Sequence, residues 1–190
     1  AAGEVALSFV GNWAAGTGDL RGIGLAVAEG PEAFIDSGKL TPADDEAVAS
    51  WLADVERPKV VHDAKGPLLA IWARGWELGG VVLDVALAAY LLRPDVRGQE
   101  LPSLVQRYLH RELVAETTAE TQESLFEVDE GATAGAAMLN ARAIAELARV
   151  LRPEFESQPA AKLLKEVELP LQRTLANCER IGIAVDRGVL

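Results

Sequence analysis

Carboxylates are the side chains of this chain that could support a reaction, because the other reactive groups are few and scattered. Cys178 is the single cysteine, so neither an internal disulfide nor a zinc cluster can form. His62 and His110 lie far apart without metal-ligand spacing, which predicts surface or partly buried polar side chains. The sequence also contains no nucleophile elbow and no P-loop. Among the reaction types considered, divalent-metal chemistry on acidic residues is the one still to be evaluated.

Three aspartates lie near the ends of predicted elements. Asp63 follows the predicted strand 59–62 and is the best candidate for a metal ligand. Asp84 is interpreted as a helix N-cap, and Asp19 is placed in a turn. No two of them have the alternate-residue spacing that puts two carboxylates on one face of a strand. We therefore predict no catalytic, cofactor-binding or metal-ligating residue.

The elements that must position these groups alternate between short strands and helices, which is the pattern of an α/β domain. Runs of apolar strand formers predict strands at 5–10, 23–28, 33–36, 59–62 and 81–83. Glycines 16, 18 and 22 are interpreted as the turn of the first hairpin. Four helices are predicted from their start signals, with Pro67 as one first residue and, as N-caps of the others, Thr41, Asp84 and Ser103.

The second half of the chain begins with an acidic segment. Residues 115–130 hold six acidic and no basic side chains, which predicts a solvated, mobile loop reaching to about residue 131. A helix is predicted over 135–151, with Pro153 as its stop.

A second helix is then predicted to bend at Pro170, to end at Gly182 and to lead into a strand at 183–185. Its inward stripe is predicted to comprise Leu164, Val167, Leu171, Leu175 and Cys178, which makes Cys178 a core residue.

Composition limits the environment and the partners. Of the 190 residues 49% are hydrophobic and 25% charged, no apolar run could span a bilayer, and no signal peptide is visible. With the single cysteine, this predicts a cytoplasmic monomer with no membrane partner. The net charge of −11 argues against tight, independent binding to nucleic acid.

Four segments resemble, in the same order, elements of the bacterial DNA polymerase I family (family A). Segments 60–65, 79–92 and 101–109 are similar to its DEDD-type 3′–5′ exonuclease domain. Segment 166–186 is the most specific, because it resembles the entry into the polymerase domain, which an unrelated RNase D-like exonuclease has no reason to carry. The Ala- and Arg-rich, Lys-poor composition resembles actinobacterial, in particular mycobacterial, members.

The resemblance implies the fold class and the domain organisation. Residues 1–151 are expected to form an RNase H-like α/β domain, a mixed sheet flanked by helices. Residues 152–190 are expected to be the N-terminal segment of the polymerase domain, a helix and a strand.

The departures from the family occur at its metal-binding motifs. The first motif, Asp-x-Glu on the first strand, matches Val10 and Asn12. The aspartate of the second motif matches Pro67, and the Tyr-x-x-x-Asp of the third matches Ala136 and Asn140. The family mechanism uses two divalent metals about 4 Å apart, which need several anionic ligands in one pocket. Two neutral amides, a valine and a proline cannot replace four carboxylates.

We therefore expect a catalytically inactive exonuclease-like domain that braces the polymerase module of a DNA polymerase I in replication and repair. DNA would be a partner through the parent polymerase, the polymerase domain a partner in cis, and Mg²⁺ a requirement of the polymerase site alone. One alternative is an active metal-dependent 3′–5′ exonuclease with displaced ligands such as Asp63. Another is a non-catalytic module that binds a repair partner through the acidic loop or guides single-stranded DNA.

Overall fold

A computed structural model describes residues 3–14, 17–114, 130–184 and 188. The strands are β1 (Val5–Ala14), β2 (Thr17–Ala26), β3 (Glu32–Asp36), β4 (Lys59–Val61) and β5 (Val81–Asp84). The α-helices are α1 (Pro42–Ala53), α2 (Lys65–Ala73), α3 (Val85–Leu92), α4 (Leu101–Leu104), α5 (Glu130–Glu156), α6 (Ala160–Leu163) and α7 (Leu169–Ile181). Two π-helical turns, Val105–Leu109 and Leu164–Glu168, follow α4 and α6 directly.

The five strands form one mixed sheet in the order β3-β2-β1-β4-β5. Strands β1, β2 and β3 are antiparallel, whereas β4 is parallel to β1 and to β5. Helices cover both faces of the sheet, so the predicted fold class, a mixed α/β sheet flanked by helices, is confirmed.

The first hairpin is longer than predicted, because two of the three glycines predicted as its turn belong to a strand, while the third, Gly16, lies outside the described residues. Gly18 and Gly22 lie within β2, where a Cβ on Gly18 would come 2.5 Å from the Ala70 backbone of α2. The missing side chain lets α2 approach the strand closely. Asp19 therefore lies in β2, and its predicted place in a turn is wrong.

A β-bulge sets which side chains face which helices. The β1–β2 register shifts between Val10 and Gly11, leaving Arg21 as the extra residue on β2. Leu20 and Ile23 are three residues apart and would face opposite sides of a regular strand. Because the extra residue interrupts the alternation, both reach the cluster formed with α1 and α2. The opposite face carries the cluster formed with α3, α4 and α5.

Two of the three predicted N-caps are confirmed. Thr41 forms a capping box with Asp44 at α1, and Asp84 caps α3. Ser103 does not cap a helix, because α4 begins at Leu101 after Glu100. Helix α2 begins at Lys65, which puts Pro67 third in the helix, where its missing N–H still costs no intrahelical bond.

Helix α5 differs from prediction at both ends. It begins at Glu130, inside the expected acidic loop, of which residues 115–129 lie outside the described part of the chain. It also continues through Pro153 to Glu156, so the predicted stop is wrong. The side chain of Phe155 is buried in the α5-side cluster, and this packing offsets the hydrogen bond that the proline removes.

The apolar stripe of the C-terminal helical segment points the opposite way from prediction. Leu164 is buried, but Val167, Leu171 and Leu175 are 46%, 42% and 46% exposed, and Cys178 is exposed rather than in the core. Helix α7 instead inserts the fully buried Ala176 into the cluster beside α2.

Gly182 ends α7 with a positive φ, as predicted, and the next two residues are not in a strand. The third residue of the predicted strand 183–185 lies outside the described range. None of the helices in the described ranges is long and apolar enough to cross a membrane.

Candidate functional site

The sheet face that packs against α5 carries the two β1 positions that match the first exonuclease motif. Alternation along β1 puts Val10 on the same face as Ala6, which packs in the α5-side cluster. Asn12 follows two residues later, so it has the same orientation. Val10 is half-buried and Asn12 is exposed. This edge of the sheet therefore offers one aliphatic side chain and one neutral amide.

Helix α5 supplies the positions that match the third motif, Ala136 and Asn140, both half-buried. The helix lies close over the hairpin, because a Cβ on Gly24 of β2 would run into the backbone of Ala137. The absence of a side chain at Gly24 thus sets the distance between α5 and the sheet. Within the motif positions α5 contributes one amide and no carboxylate.

The second motif position lies at the start of α2. Pro67 is buried, and the neighbouring Gly66 packs against the indole ring of Trp13 from β1. A proline side chain has no ligand atom, so the side chain at this position cannot bind a cation.

Two aspartates near this region remain exposed. Asp63 follows β4 in a left-handed backbone conformation with φ of 47°. Asp19 lies directly across the hairpin from Asn12, and its carboxylate is 3.4 Å from the guanidinium of Arg21. The sequence predicts a turn at Asp19, and no local pattern indicates the bulge that brings it opposite Asn12.

Asp84 is the fully buried carboxylate of the described chain, and it joins three elements. Its Oδ1 accepts hydrogen bonds from the backbone N–H groups of Asp63, Ala86 and Leu87 at 3.0, 3.0 and 3.4 Å. Its Oδ2 accepts from the N–H of Ala64 at 3.1 Å and from the side-chain amide of Gln172 at 2.8 Å. The residue is thus an N-cap, as predicted, that also holds the turn before α2 and anchors α7.

The residues at the motif positions do not fit a pair of divalent cations. Hard cations of this kind need several anionic oxygen ligands, and these positions hold an alkyl group, a pyrrolidine ring and two neutral amides. Within residues 3–14, 17–114, 130–184 and 188, no cluster of three or more acidic, histidine or cysteine side chains could hold a metal. We derive no metal-dependent step at this face.

Shifted pKa values occur away from this face. Hydrogen bonds from Arg74 and Trp76 lower the pKa of Asp45, and burial lowers the pKa of Lys59. At Glu77 burial opposes ionisation, yet hydrogen bonds from Arg173 and Trp72 bring its pKa below the ordinary value. These three groups lie on α1, at the start of β4 and after the end of α2.

The architecture defines the class of protein as an RNase H-like exonuclease fold. The fold is shared with Brucella melitensis NrnC, at a TM-score of 0.72 and 15% identity over 95% of this chain and 86% of that one. Trypanosoma brucei RNase D in complex with RNA U12 matches with a TM-score of 0.66 and 15% identity, covering 97% of this chain and 65% of that one. At such identities the likeness establishes the fold alone.

The family model described as "DNA polymerase I, ribonuclease H-like domain" matches residues 17–118, and the chain belongs to this family. DNA polymerase I of Mycobacterium leprae is 44% identical over 188 residues, covering 97% of this chain and 20% of the relative. The M. tuberculosis protein is 45% identical over 186 residues, 97% of this chain and 21% of the relative. The predicted family and its mycobacterial character are confirmed.

A solved structure extends this likeness to three dimensions. The "POL domain of Pol1 from M. smegmatis complex with DNA primer-template and dNTP" matches with a TM-score of 0.83 and 39% identity. The match covers 97% of this chain and 30% of that one. The chain thus spans about one fifth of the length of the mycobacterial relatives, and the domain boundary at residue 151 stays a prediction.

Proposed function

We propose that this chain is a catalytically inactive 3′–5′ exonuclease-like domain that braces a DNA polymerase I acting in replication and repair. The observation that carries the proposal is an intact exonuclease fold whose motif positions hold Val10, Asn12, Pro67 and Asn140. DNA would then be bound through the parent polymerase, in the cytoplasm, and Mg²⁺ would belong to the polymerase site.

The loss of catalysis follows from charge. Two divalent cations held about 4 Å apart repel one another unless several carboxylates lie between and around them. The motif positions contribute no negative charge, and the net charge of −11 is carried elsewhere. A scissile phosphate would meet no metal-bound hydroxide at this face.

The bracing role is supported by the contacts of α7. Its Gln172 binds the buried Asp84, and its Glu179 forms an ion pair with Lys65 of α2 at 2.5 Å. The guanidinium groups of Arg173 and Arg180 lie over the ring of Trp72, 5.3 and 5.0 Å from its centroid. Helix α7 is thereby held against the sheet domain at several points along its length.

Nuclease activity is tested by titrating Mn²⁺ into the chain in a calorimeter and then incubating the same sample with 5′-labelled single-stranded DNA. We expect no heat of specific binding and an intact label. Binding of two metals with shortening from the 3′ end would refute inactivity.

The bracing role is tested in the longer polymerase polypeptide by Ala176→Glu, which puts a charge into the buried contact of α7. We expect a lower melting temperature and weaker DNA synthesis, with the exposed Thr174→Glu on the same helix as the matched control. Equal melting temperatures and equal DNA synthesis in the two variants would refute the bracing role.

A second candidate is an active exonuclease with displaced ligands, which is favoured by the exposed Asp19 opposite Asn12 and by the exposed Asp63. If digestion is observed, Asp63→Asn and Asp19→Asn should each abolish it, whereas the exposed Asp44→Asn on α1 should not. Digestion that survives both substitutions would exclude these residues as the ligands.

A further inference from the structure

Two cationic side chains meet over one indole ring at the junction of α2 and α7. The guanidinium groups of Arg173 and Arg180, both on α7, lie 5.3 and 5.0 Å from the ring centroid of Trp72 on α2. Both arginines are exposed, and Trp72 is half-buried. The three side chains border an open cavity of about 440 Å³. We call this cavity the α2–α7 pocket.

One carboxylate in the α2–α7 pocket offsets part of this positive charge. An oxygen of Glu77 accepts hydrogen bonds from Arg173 at 2.5 Å and from the indole N–H of Trp72 at 3.1 Å. Burial opposes ionisation of Glu77, but these two hydrogen bonds bring its pKa below the ordinary value. The charges of both arginines lower it further. Glu77 is therefore ionised at neutral pH and balances one of the two guanidinium charges, so that one positive charge remains.

The remaining charge lies beside hydrogen-bond donors that are available to a ligand. Arg180 donates to the side-chain oxygen of Asn177 at 2.9 Å, which turns the NH₂ group of that amide away from the guanidinium. Among the described residues this NH₂ group and the other N–H groups of Arg180 have no partner. The adjacent Glu179 forms its ion pair with Lys65 of α2, at 2.5 Å, and these two charges cancel.

This arrangement fits an anion with several oxygen atoms. A guanidinium group presents parallel N–H donors that bind two phosphate oxygens at once, and such charge-assisted hydrogen bonds are strong. A second anion also relieves the repulsion between Arg173 and Arg180 that Glu77 leaves uncompensated. The volume of about 440 Å³ is within the range of about 300 to 1,000 Å³ that is typical of small-molecule sites. It has room for more than a single inorganic ion.

We propose that the α2–α7 pocket binds a mononucleotide through its phosphoryl group, with Arg180, Arg173 and Asn177 as the donors. A small anion suits the site better than a DNA strand, because the net charge of −11 repels a polyanion more strongly. The pocket lies on the side of the sheet that carries α2, whereas Val10 and Asn12 face α5. The site therefore does not depend on the proposed loss of nuclease activity.

The indole N–H of Trp72 provides a direct probe, because it donates to Glu77 at the pocket. The experiment titrates AMP into the ¹⁵N-labelled 190-residue chain without magnesium and follows the indole signal, assigned with Trp72→Phe. We expect a saturable shift with AMP and at least tenfold weaker binding of adenosine, which lacks the phosphoryl group. No saturable shift with AMP, or equal binding of adenosine, would overturn the proposal.

Substitutions test the donors directly. Arg180→Gln should weaken AMP binding at least tenfold, since it removes the charge that Glu77 leaves unbalanced. Asn177→Asp should do the same, because it puts a carboxylate among the donors. The matched control is Arg97→Gln, which changes the net charge equally at an exposed arginine between α3 and α4. Equal weakening by Arg180→Gln and Arg97→Gln would show a general charge effect and overturn the site.

Two further titrations separate the proposal from its alternatives. Inorganic phosphate that binds as tightly as AMP would overturn the assignment to a nucleotide. A single-stranded thymidine oligonucleotide that binds more tightly than AMP, with Arg180→Gln abolishing the effect, would identify a DNA strand as the ligand instead. The nuclease assay and the Ala176→Glu test use neither Arg180 nor Asn177, so failure of nucleotide binding leaves the proposed function standing.

Discussion

Replacing Asp84 by alanine should strongly destabilise the domain. The carboxylate is fully buried, and it accepts hydrogen bonds from four backbone N–H groups and from Gln172. It caps α3 and also holds the two residues that lead into α2. One substitution therefore removes the hydrogen-bond acceptor at the start of two helices and the anchor of a third.

The magnitude follows from the groups left without partners. The N–H groups of Ala64 and Ala86 are buried, and an unsatisfied buried donor costs about 1 to 3 kcal/mol. The other three donors are partly buried and can be rehydrated in part. We expect Asp84→Ala to lower the free energy of unfolding by about 3 to 5 kcal/mol, a large fraction of the about 5 to 15 kcal/mol typical of a domain.

Two further variants separate the contributions. Asp84→Asn keeps the shape but has only one oxygen, so its NH₂ group must face donors on one side; we expect a cost of about 2 to 3 kcal/mol. Gln172→Ala removes a single half-buried donor and should cost about 1 kcal/mol. The predicted order of destabilisation is Asp84→Ala, then Asp84→Asn, then Gln172→Ala.

The assay is urea unfolding monitored by tryptophan fluorescence and by circular dichroism, with the slope m compared between variants. Equal m values would show that the variants differ in native stability rather than in the extent of unfolding. The reasoning would be refuted if Asp84→Ala cost less than about 1 kcal/mol, or if Gln172→Ala cost as much as Asp84→Ala.

Three further predictions concern stability. Because hydrogen bonds from Arg74 and Trp76 lower the pKa of Asp45 below its ordinary 3.8, its stabilising effect should be complete above pH 3.8 and lost as the pH falls through the lower folded value. Urea unfolding of the wild type and Asp45→Asn on both sides of pH 3.8 should show the difference shrinking at low pH, and a constant difference would contradict the linkage. Gly24→Ala should cost about 1 to 3 kcal/mol, because its methyl group would displace α5 from β2; a neutral effect in thermal unfolding would show that the helix yields. Lys59→Met should cost about 1 to 3 kcal/mol, because the buried ammonium donates to the carbonyls of Asp54 and Arg57 at 2.8 and 3.0 Å; chemical denaturation showing a gain in stability would contradict this.

Local signals predicted the elements whose ends are set by neighbouring residues. The capping box at Thr41, the cap at Asp84 and the glycine stop at Gly182 are all in the structure, because each is a hydrogen bond or backbone conformation within a few residues. Ser103 and Pro153 carried the same kind of signal and misled, since burial of Leu101 and Phe155 sets the helix limits there.

At the candidate site, too, some features follow from the sequence and others depend on the tertiary fold. The residue types at the motif positions follow from the sequence, and with them the absence of negative charge at Val10, Asn12, Pro67 and Asn140. The orientation of these positions depends on the strand alternation and on the long helix α5, whose start at Glu130 no local pattern indicated.

The sequence by itself determined the family, the mixed α/β class and the chemistry that the motif positions lack, because residue identity and order are sufficient for these. Only the tertiary structure decided that Asp84 accepts hydrogen bonds from the starts of two helices and from Gln172. It also decided that the apolar face of α7 points outward. Amphipathic spacing identifies two faces of a helix but not which one meets the sheet. At α7 the polar contacts to Asp84, Lys65 and Glu77, with the buried Ala176, make that choice.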